Sequence, residues 1–408
     1  MNPDQVLLYR SWLHIGESEY LCSFDESLET GDKESESVLP GYPGRYGGLS
    51  RDGYDSRSLP QPIFNSIEFR KILEGGVESI FTTEENVLVK TSERWGILDG
   101  NLQNELAGGF IRQGGKCSSL DSSHVVWMDD SLSVLNTSGE IEKQIYLLLG
   151  GKRGFGDVLL NGSNVLLSGL MSPPYIPDMD EPFITHECID VEKLGDPDED
   201  SGLCDPEQVE TLSYYGNNIV PPVWLNTGIF FGVNQALVMT DSKLKPVRKY
   251  VFDKELLFIS GNNKTGELFC LSRAGSRFDL DCIDIKTNKV LYTLEDIGIS
   301  PVCPALSCSS GYRIVVGEAS FKAWSSDLTE VVHFDTFISG FPVYASVIGD
   351  VLLIVSGLHI FVWDCLMWDR KIYQSPEVIT TPVVQAGSGI LLMGTEKGVY
   401  AIENKQDY

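Results

Sequence analysis

The stretch most suggestive of chemistry runs from Asp196 to Glu207, Asp-Pro-Asp-Glu-Asp-Ser-Gly-Leu-Cys-Asp-Pro-Glu. Carboxylates stand at its first, third, fifth and twelfth places, as Asp196, Asp198, Asp200 and Glu207. Hard oxygen donors at that spacing suit a calcium loop, because the chain wraps the ion and brings a last carboxylate back to it. Leu203 fills the place such loops give to an apolar residue, but Gly202 comes one place late and Pro197 and Pro206 interrupt the run. Two readings stay open: a Ca²⁺ site, or a solvated acidic loop.

Other constellations fail on spacing. His14, His124, His186, His333 and His359 form no HxxxH or HxH pair, and Cys303 and Cys308 have no second pair near them for zinc. Gly109 to Cys117 imitates a phosphate loop, yet it is one residue too long and puts Cys117 where a magnesium-binding hydroxyl belongs. Gly151-Lys152-Arg153-Gly154-Phe155-Gly156 lacks the GxGxxG glycine spacing of a dinucleotide loop, and no GxSxG elbow is present. The sequence thus offers no catalytic residues and no cofactor site beyond the Ca²⁺ candidate. A site assembled on an axis from distant segments would leave no local motif, so an enzyme stays open as the alternative.

The formal net charge is −27, which opposes nucleic acid as a direct ligand, since phosphates are bound by displacing counterions with Lys and Arg. The charge is uneven: residues 17–36 carry −7 and residues 178–210 carry −12. No apolar run approaches a membrane span, and the N-terminal residues lack the pattern of a secretory signal. Nine cysteines at scattered spacing, several inside apolar runs, fit a reducing, cytoplasmic setting.

What must position any site is a repeat. Short apolar runs recur at Val87-Leu88-Val89, Val125-Val126-Trp127, Val165-Leu166-Leu167, Ile229-Phe230-Phe231, Leu268-Phe269-Cys270-Leu271, Ile314-Val315-Val316, Val351-Leu352-Leu353-Ile354-Val355 and Ile390-Leu391-Leu392-Met393. Each is too short for a buried helix and reads as a buried strand. About ten residues on, a second, alternating strand ends in a small polar or acidic residue, at 99, 136, 190, 240, 284, 325, 364 and 403. Pro-Val pairs at 222, 301, 342 and 382 and Gly-Gly pairs at 75, 114 and 150 open seven of the repeats, and the remaining one opens near Glu255. A period near 40 with three or four short strands per unit is how a propeller blade reads in sequence.

Two of these stretches resemble known families. Thr381-Pro382-Val383-Val384, followed by Gly389–Thr395 and Gly398–Ile402, is similar to a quinoprotein-like (PQQ-like) repeat, and Val362-Trp363-Asp364 resembles a WD40 strand ending. The expected fold is therefore an all-β propeller of about eight four-stranded blades, with seven as the alternative count. Residues 75–408 form the propeller, with an acidic insertion at about 172–218. Residues 1–74 supply a closing strand for the last repeat, either Ile67–Leu73 or Val6–Tyr9, together with a Gly/Tyr/Arg-rich and acidic segment.

The departures from the repeat are the expected partner contacts: Tyr42, Arg45, Tyr46, Arg51 and Tyr54 near the N-terminus, and Asp198, Glu199 and Asp200 in the insertion. The functional expectation is a non-catalytic protein-binding module or scaffold for a basic partner, as in an inhibitor or immunity role. What the resemblance to quinoproteins implies instead is a propeller enzyme, a quinoprotein-like dehydrogenase or a carbohydrate-active one.

Overall fold

The computed structural model describes residues 54–55 and 67–404, apart from 84, 111–115, 120–123, 129–130, 137, 147–154, 172–182, 197–203, 205–208, 216–219, 234, 263–265, 288, 327–328, 336–340 and 388. Among the described residues there is no helix. The strands form eight sheets in chain order, seven of four strands and one of five. Blades 1 to 6 are each one unbroken run of four antiparallel strands, spanning Val77–Phe110, Lys116–Tyr146, Phe155–Tyr215, Val220–Val251, Glu255–Leu294 and Leu306–Asp335. Blade 7 spans Val343–Gln374, and blade 8 spans Val384–Asn404 with its fourth strand drawn from Ile67–Glu74.

Ile67–Glu74 runs antiparallel to Gly398–Asn404, from Ile67 opposite Asn404 to Glu74 opposite Gly398. The ring thus closes with a strand from the N-terminal side, in the first of the two segments the sequence suggests. Val6–Tyr9 lies outside the described residues. Closure removes the free sheet edge that the last three strands would leave. Arg70 Nη2 reaches Glu403 Oε1 at 2.5 Å across this pairing, and Thr380 Oγ1 donates to the Val77 carbonyl of blade 1 at 2.6 Å.

Each blade is too thin to bury both faces alone, so the core is a set of apolar layers between neighbours. One layer between blades 6 and 7 holds Phe321, Trp363, Ile314, Val347 and Ile354; the Phe321 and Trp363 rings meet edge to face with centroids 4.8 Å apart. Another, between blades 4 and 5, holds Val223, Phe230, Leu268, Cys270 and Ile283. The second strand of a repeat is the apolar run seen in the sequence, and in blades 1, 4 and 7 it is buried along almost its whole length, apolar on both sides because neighbours cover both of its faces.

The polar endings also acquire a cause. In blades 1 to 7 they lie at the end of the third strand, where the chain turns toward the fourth, and in blades 1, 2, 3, 5 and 7 their side chains accept N–H groups of that turn. Asp99 Oδ1 accepts from Gln103 N at 2.8 Å, Asn136 Oδ1 from Ser138 N at 3.0 Å and Asp284 Oδ1 from Lys286 N at 2.9 Å. In blade 4 the next residue, Asp241, does this for Lys243 and Lys245. These are side-chain turn mimics, which Asp and Asn form best. The Gln103 N–H accordingly holds the Asp99 carboxyl below its ordinary value.

Close approach at the closing seam requires Gly394. A Cβ there would lie 2.6 Å from Val77 Cγ1 and 2.7 Å from Thr381 Cγ2, and the Gly394 N–H donates to Thr381 Oγ1 at 2.8 Å. Gly394→Val is expected to destabilise by about 1–3 kcal/mol through overpacking. Gly195→Ala, where an added Cβ meets nothing within 4 Å, should be silent. Denaturant midpoints of the two variants check this, and equal midpoints would show that the seam has room.

One pairing has no sequence signal. Tyr54–Asp55 runs parallel to the first strand of blade 7, with Tyr54 opposite Val347 and Asp55 opposite Ile348, and forms the fifth strand of that sheet.

Candidate functional site: partner-binding surfaces

The sequence-nominated residues divide sharply. Tyr42, Arg45, Tyr46, Arg51, Asp198, Glu199, Asp200 and Glu207 lie outside the described residues, while Tyr54 is placed by its backbone pairing alone. Asp196 is exposed, on a segment that leaves the propeller after the third strand of blade 3.

That segment is tied down at both ends. Asp190 Oδ1 accepts from Ser163 Oγ at 2.8 Å and from Glu192 N at 3.2 Å, and its other oxygen pairs with Lys193. Burial works to raise the Asp190 pKa, but the Lys193 and Ser163 hydrogen bonds outweigh it and hold the carboxyl low. Val191 and Leu194 are buried. Lys143, on the outer strand of blade 2, donates its ammonium to the Val191 carbonyl at 3.0 Å and the Leu194 carbonyl at 3.1 Å. Farther along, Cys204 is buried and its N–H donates to the Gln144 carbonyl at 2.7 Å. The acidic insertion is therefore stapled to blade 2 by two consecutive residues, Lys143 and Gln144, on either side of residues 197–203.

A second surface was missed in the sequence. The turn after the third strand of blade 7 is held by Asp364, whose Oδ1 accepts from Leu366 N at 2.8 Å. It presents Leu366 and Met367 at 60% and 73% exposure. The next residue, Trp368, takes a positive φ of 57° and turns back onto Tyr312, with ring centroids 5.3 Å apart. Corresponding turns in blades 4 and 5 carry Ser242-Lys243 and Lys286-Thr287. Two adjacent apolar side chains where the turns of blades 4 and 5 carry polar ones were the available signal.

Groups that could do covalent chemistry are enclosed. Ser168 Oγ lies 2.7 Å from His186 Nδ1, the spacing of a nucleophile and its base. Both residues are fully buried, however, and His186 Nε2 is taken by the Tyr214 hydroxyl at 3.0 Å, which itself donates to the Gly232 carbonyl of blade 4. Burial pushes the His186 pKa down to about 3 and the Glu187 pKa up to about 7. The row spans three strands of blade 3 and latches it to blade 4, so its role is structural. The Cys308 thiol is drawn below the usual range by a hydrogen bond from Cys365 across the seam of blades 6 and 7, yet both thiols are buried. Among the described residues no three His, Cys, Asp or Glu side chains converge as a metal site.

No family model matches the chain, and no curated protein matches it by sequence. Solved structures do. BamB from Moraxella catarrhalis superposes with a TM-score of 0.57 at 11% identity, over 84% of this chain and 99% of that one. The Dos1 propeller matches with a TM-score of 0.57 at 12% identity, over 82% of this chain and 94% of its own. At such identities the likeness shows the fold, a β-propeller, and leaves function to the residues.

Proposed function

We propose that this propeller is a non-catalytic binding module or scaffold that presents turns and one acidic insertion to a protein partner with a basic surface. The observation that carries the reading is the Leu366–Met367 turn. A rigid ring holds two solvated apolar side chains on a turn that Asp364 pins in place. Solvated apolar side chains contribute no burial energy to the fold and gain it when a partner covers them, and methionine adapts to irregular surfaces. The anchored insertion adds charge: residues 178–210 carry −12, and complementary charge raises association rate and selectivity. A cytoplasmic location belongs to the same reading and rests on the cysteine usage.

The test is a tagged pull-down with mass spectrometry at low and high salt, run in parallel on Leu366→Ser/Met367→Ser and on a chain with 197–203 replaced by Gly and Ser. The double variant should retain less than about a tenth of the partner held by the wild type. The loop variant should lose mainly the salt-sensitive part. Unchanged capture by the double variant would refute the turn as the contact.

A further inference from the structure

At the rim between blades 4 and 5 a groove of about 660 Å³ opens, lined among others by Tyr250, Phe252, Asp253, Asp281, Ile283 and Val290. Tyr250 belongs to the outer strand of blade 4, and Phe252 and Asp253 to the connection that follows it. Asp281 and Ile283 lie on one face of the third strand of blade 5, and Val290 on its outer strand. The Phe252 N–H donates to the Gln235 carbonyl at 2.7 Å, which fixes the blade 4 wall.

Asp281 is the unusual member. It is 4% exposed. Its Oδ1 accepts from Thr293 Oγ1 at 2.5 Å, while its Oδ2 has no hydrogen-bond partner. Lys254 also lines the groove and attracts Asp281 through space, but its ammonium is hydrogen-bonded to the neighbouring Asp279 at 2.7 Å and gives Asp281 Oδ2 no hydrogen bond. A second bond fixes Asp279, whose Oδ1 accepts from Asp296 N at 2.7 Å. A buried carboxylate oxygen without a hydrogen bond forfeits its hydration, and the through-space attraction of Lys254 supplies no hydrogen bond in its place. An asparagine or serine would meet Thr293 at lower cost. A cation entering the groove would recover the loss.

We propose that this groove receives a lysine side chain of the partner protein, its ammonium on Asp281 Oδ2 and its methylene stem along Ile283, Val290 and the rings of Tyr250 and Phe252. Asp253, exposed at the groove, adds charge of the matching sign. Lysine is favoured over arginine because Asp281 has a single free oxygen. A guanidinium gains its advantage from two parallel bonds to one carboxylate, whereas an ammonium is a point donor that needs one. Aromatic walls add cation–π attraction. This rests on the protein-binding reading above and names one anchor of that partner.

The probe is N-acetyl-lysine amide, added to the full chain labelled with ¹³C at Ile and Val methyls. The methyls of Ile283 and Val290 should shift on titration, and Asp281→Asn, which preserves the Thr293 contact, should weaken binding about tenfold or more. Diffuse attraction to a protein of net charge −27 would barely notice the loss of one charge. N-acetyl-arginine amide should bind several-fold more weakly. Val290→Lys, at an exposed position, should fill the groove from within, raise the melting temperature and block the probe. Absent shifts at those methyls, indifference to Asp281→Asn in a variant that melts normally, equal binding of the arginine probe, or no blockade by Val290→Lys would each overturn the proposal. The probe needs no partner, so these outcomes are independent of the pull-down. Full capture by Asp281→Asn with loss in Leu366→Ser/Met367→Ser would sink the groove and leave the module reading standing.

Discussion

A chain beginning at residue 75 is expected to lose its closed ring, whereas one beginning at residue 67 keeps it. Ile67–Glu74 is the fourth strand of blade 8. Its side chains also serve both neighbouring seams: Ile67 and Phe69 pack on the layer between blades 7 and 8, and Ile72 and Leu73 on the layer between blades 8 and 1. Full burial of such side chains stabilises by about 1.5–3 kcal/mol each. At the half burial found here, the four together contribute on the order of 5 kcal/mol, a large share of the about 5–15 kcal/mol that holds a typical domain together. Removal also bares the Gly398–Asn404 edge, which invites pairing with a second chain. The chain starting at 75 should melt about 5 °C or more below the chain starting at 67, and should elute partly as aggregate in gel filtration. A synthetic peptide of residues 67–74 should raise its melting point in a concentration-dependent way. Equal melting of the two chains would mean that the ring holds without its closing strand.

That strand was legible in part: the last repeat supplied three strands and needed a fourth, and Ile67–Leu73 was one of the two segments, with Val6–Tyr9, that could provide it. The framework was legible from local signals. Apolar runs such as Ile229-Phe230-Phe231 and endings such as Asp284 are short-range patterns, and a repeat copies them until chance is an inadequate account. The Asp364 ending even carried its mechanism in its residue type, since Asp is what a turn with stranded N–H groups selects.

The surfaces were harder to read. Tyr54–Asp55 pairs with Val347–Ile348 almost three hundred positions away, and a two-residue strand has no period to detect. Asp281 was one acid among 58, and only the register that sets it opposite Cys270 and Thr293 shows that its oxygen is buried beside a groove. Ser168, His186 and Tyr214 likewise become a row only when three strands are aligned. Sequence periodicity reports which face of a strand is covered. It does not report which polar group, once covered, is left without a partner.

The buried pair in blade 3 makes the second large expectation. His186 and Glu187 are consecutive, so they point to opposite faces of one strand, His186 toward Phe231 of blade 4 and Glu187 toward blade 2. Between about pH 3 and pH 7 burial keeps both neutral in the folded protein, and the two act on stability in opposite directions. The His186 pKa falls from 6.5 to about 3 on folding, so the unfolded chain binds a proton that the folded one refuses. Stability therefore drops as pH falls below 6.5. The Glu187 pKa rises from 4.5 to about 7, so the folded chain keeps a proton that the unfolded one releases. Its contribution is fully present below pH 4.5 and is lost as pH rises toward 7. Between pH 4.5 and 6.5 the two slopes oppose, each about 1.4 kcal/mol per pH unit.

Glu187→Gln removes one of them. The variant should gain on the wild type by about 3 kcal/mol as pH rises from 4.5 to 7.5, with most of the gain between the two Glu187 pKa values. Its own stability should climb from pH 4.5 to 6.5 as the His186 slope is unmasked. Urea unfolding of both proteins at half-unit pH steps measures the difference, in which titrating surface groups common to both cancel. A gap between the two that stays constant from pH 4.5 to 7.5 would show that Glu187 ionises normally in the fold. The burial of its side chain would then be relieved by a partner such as water.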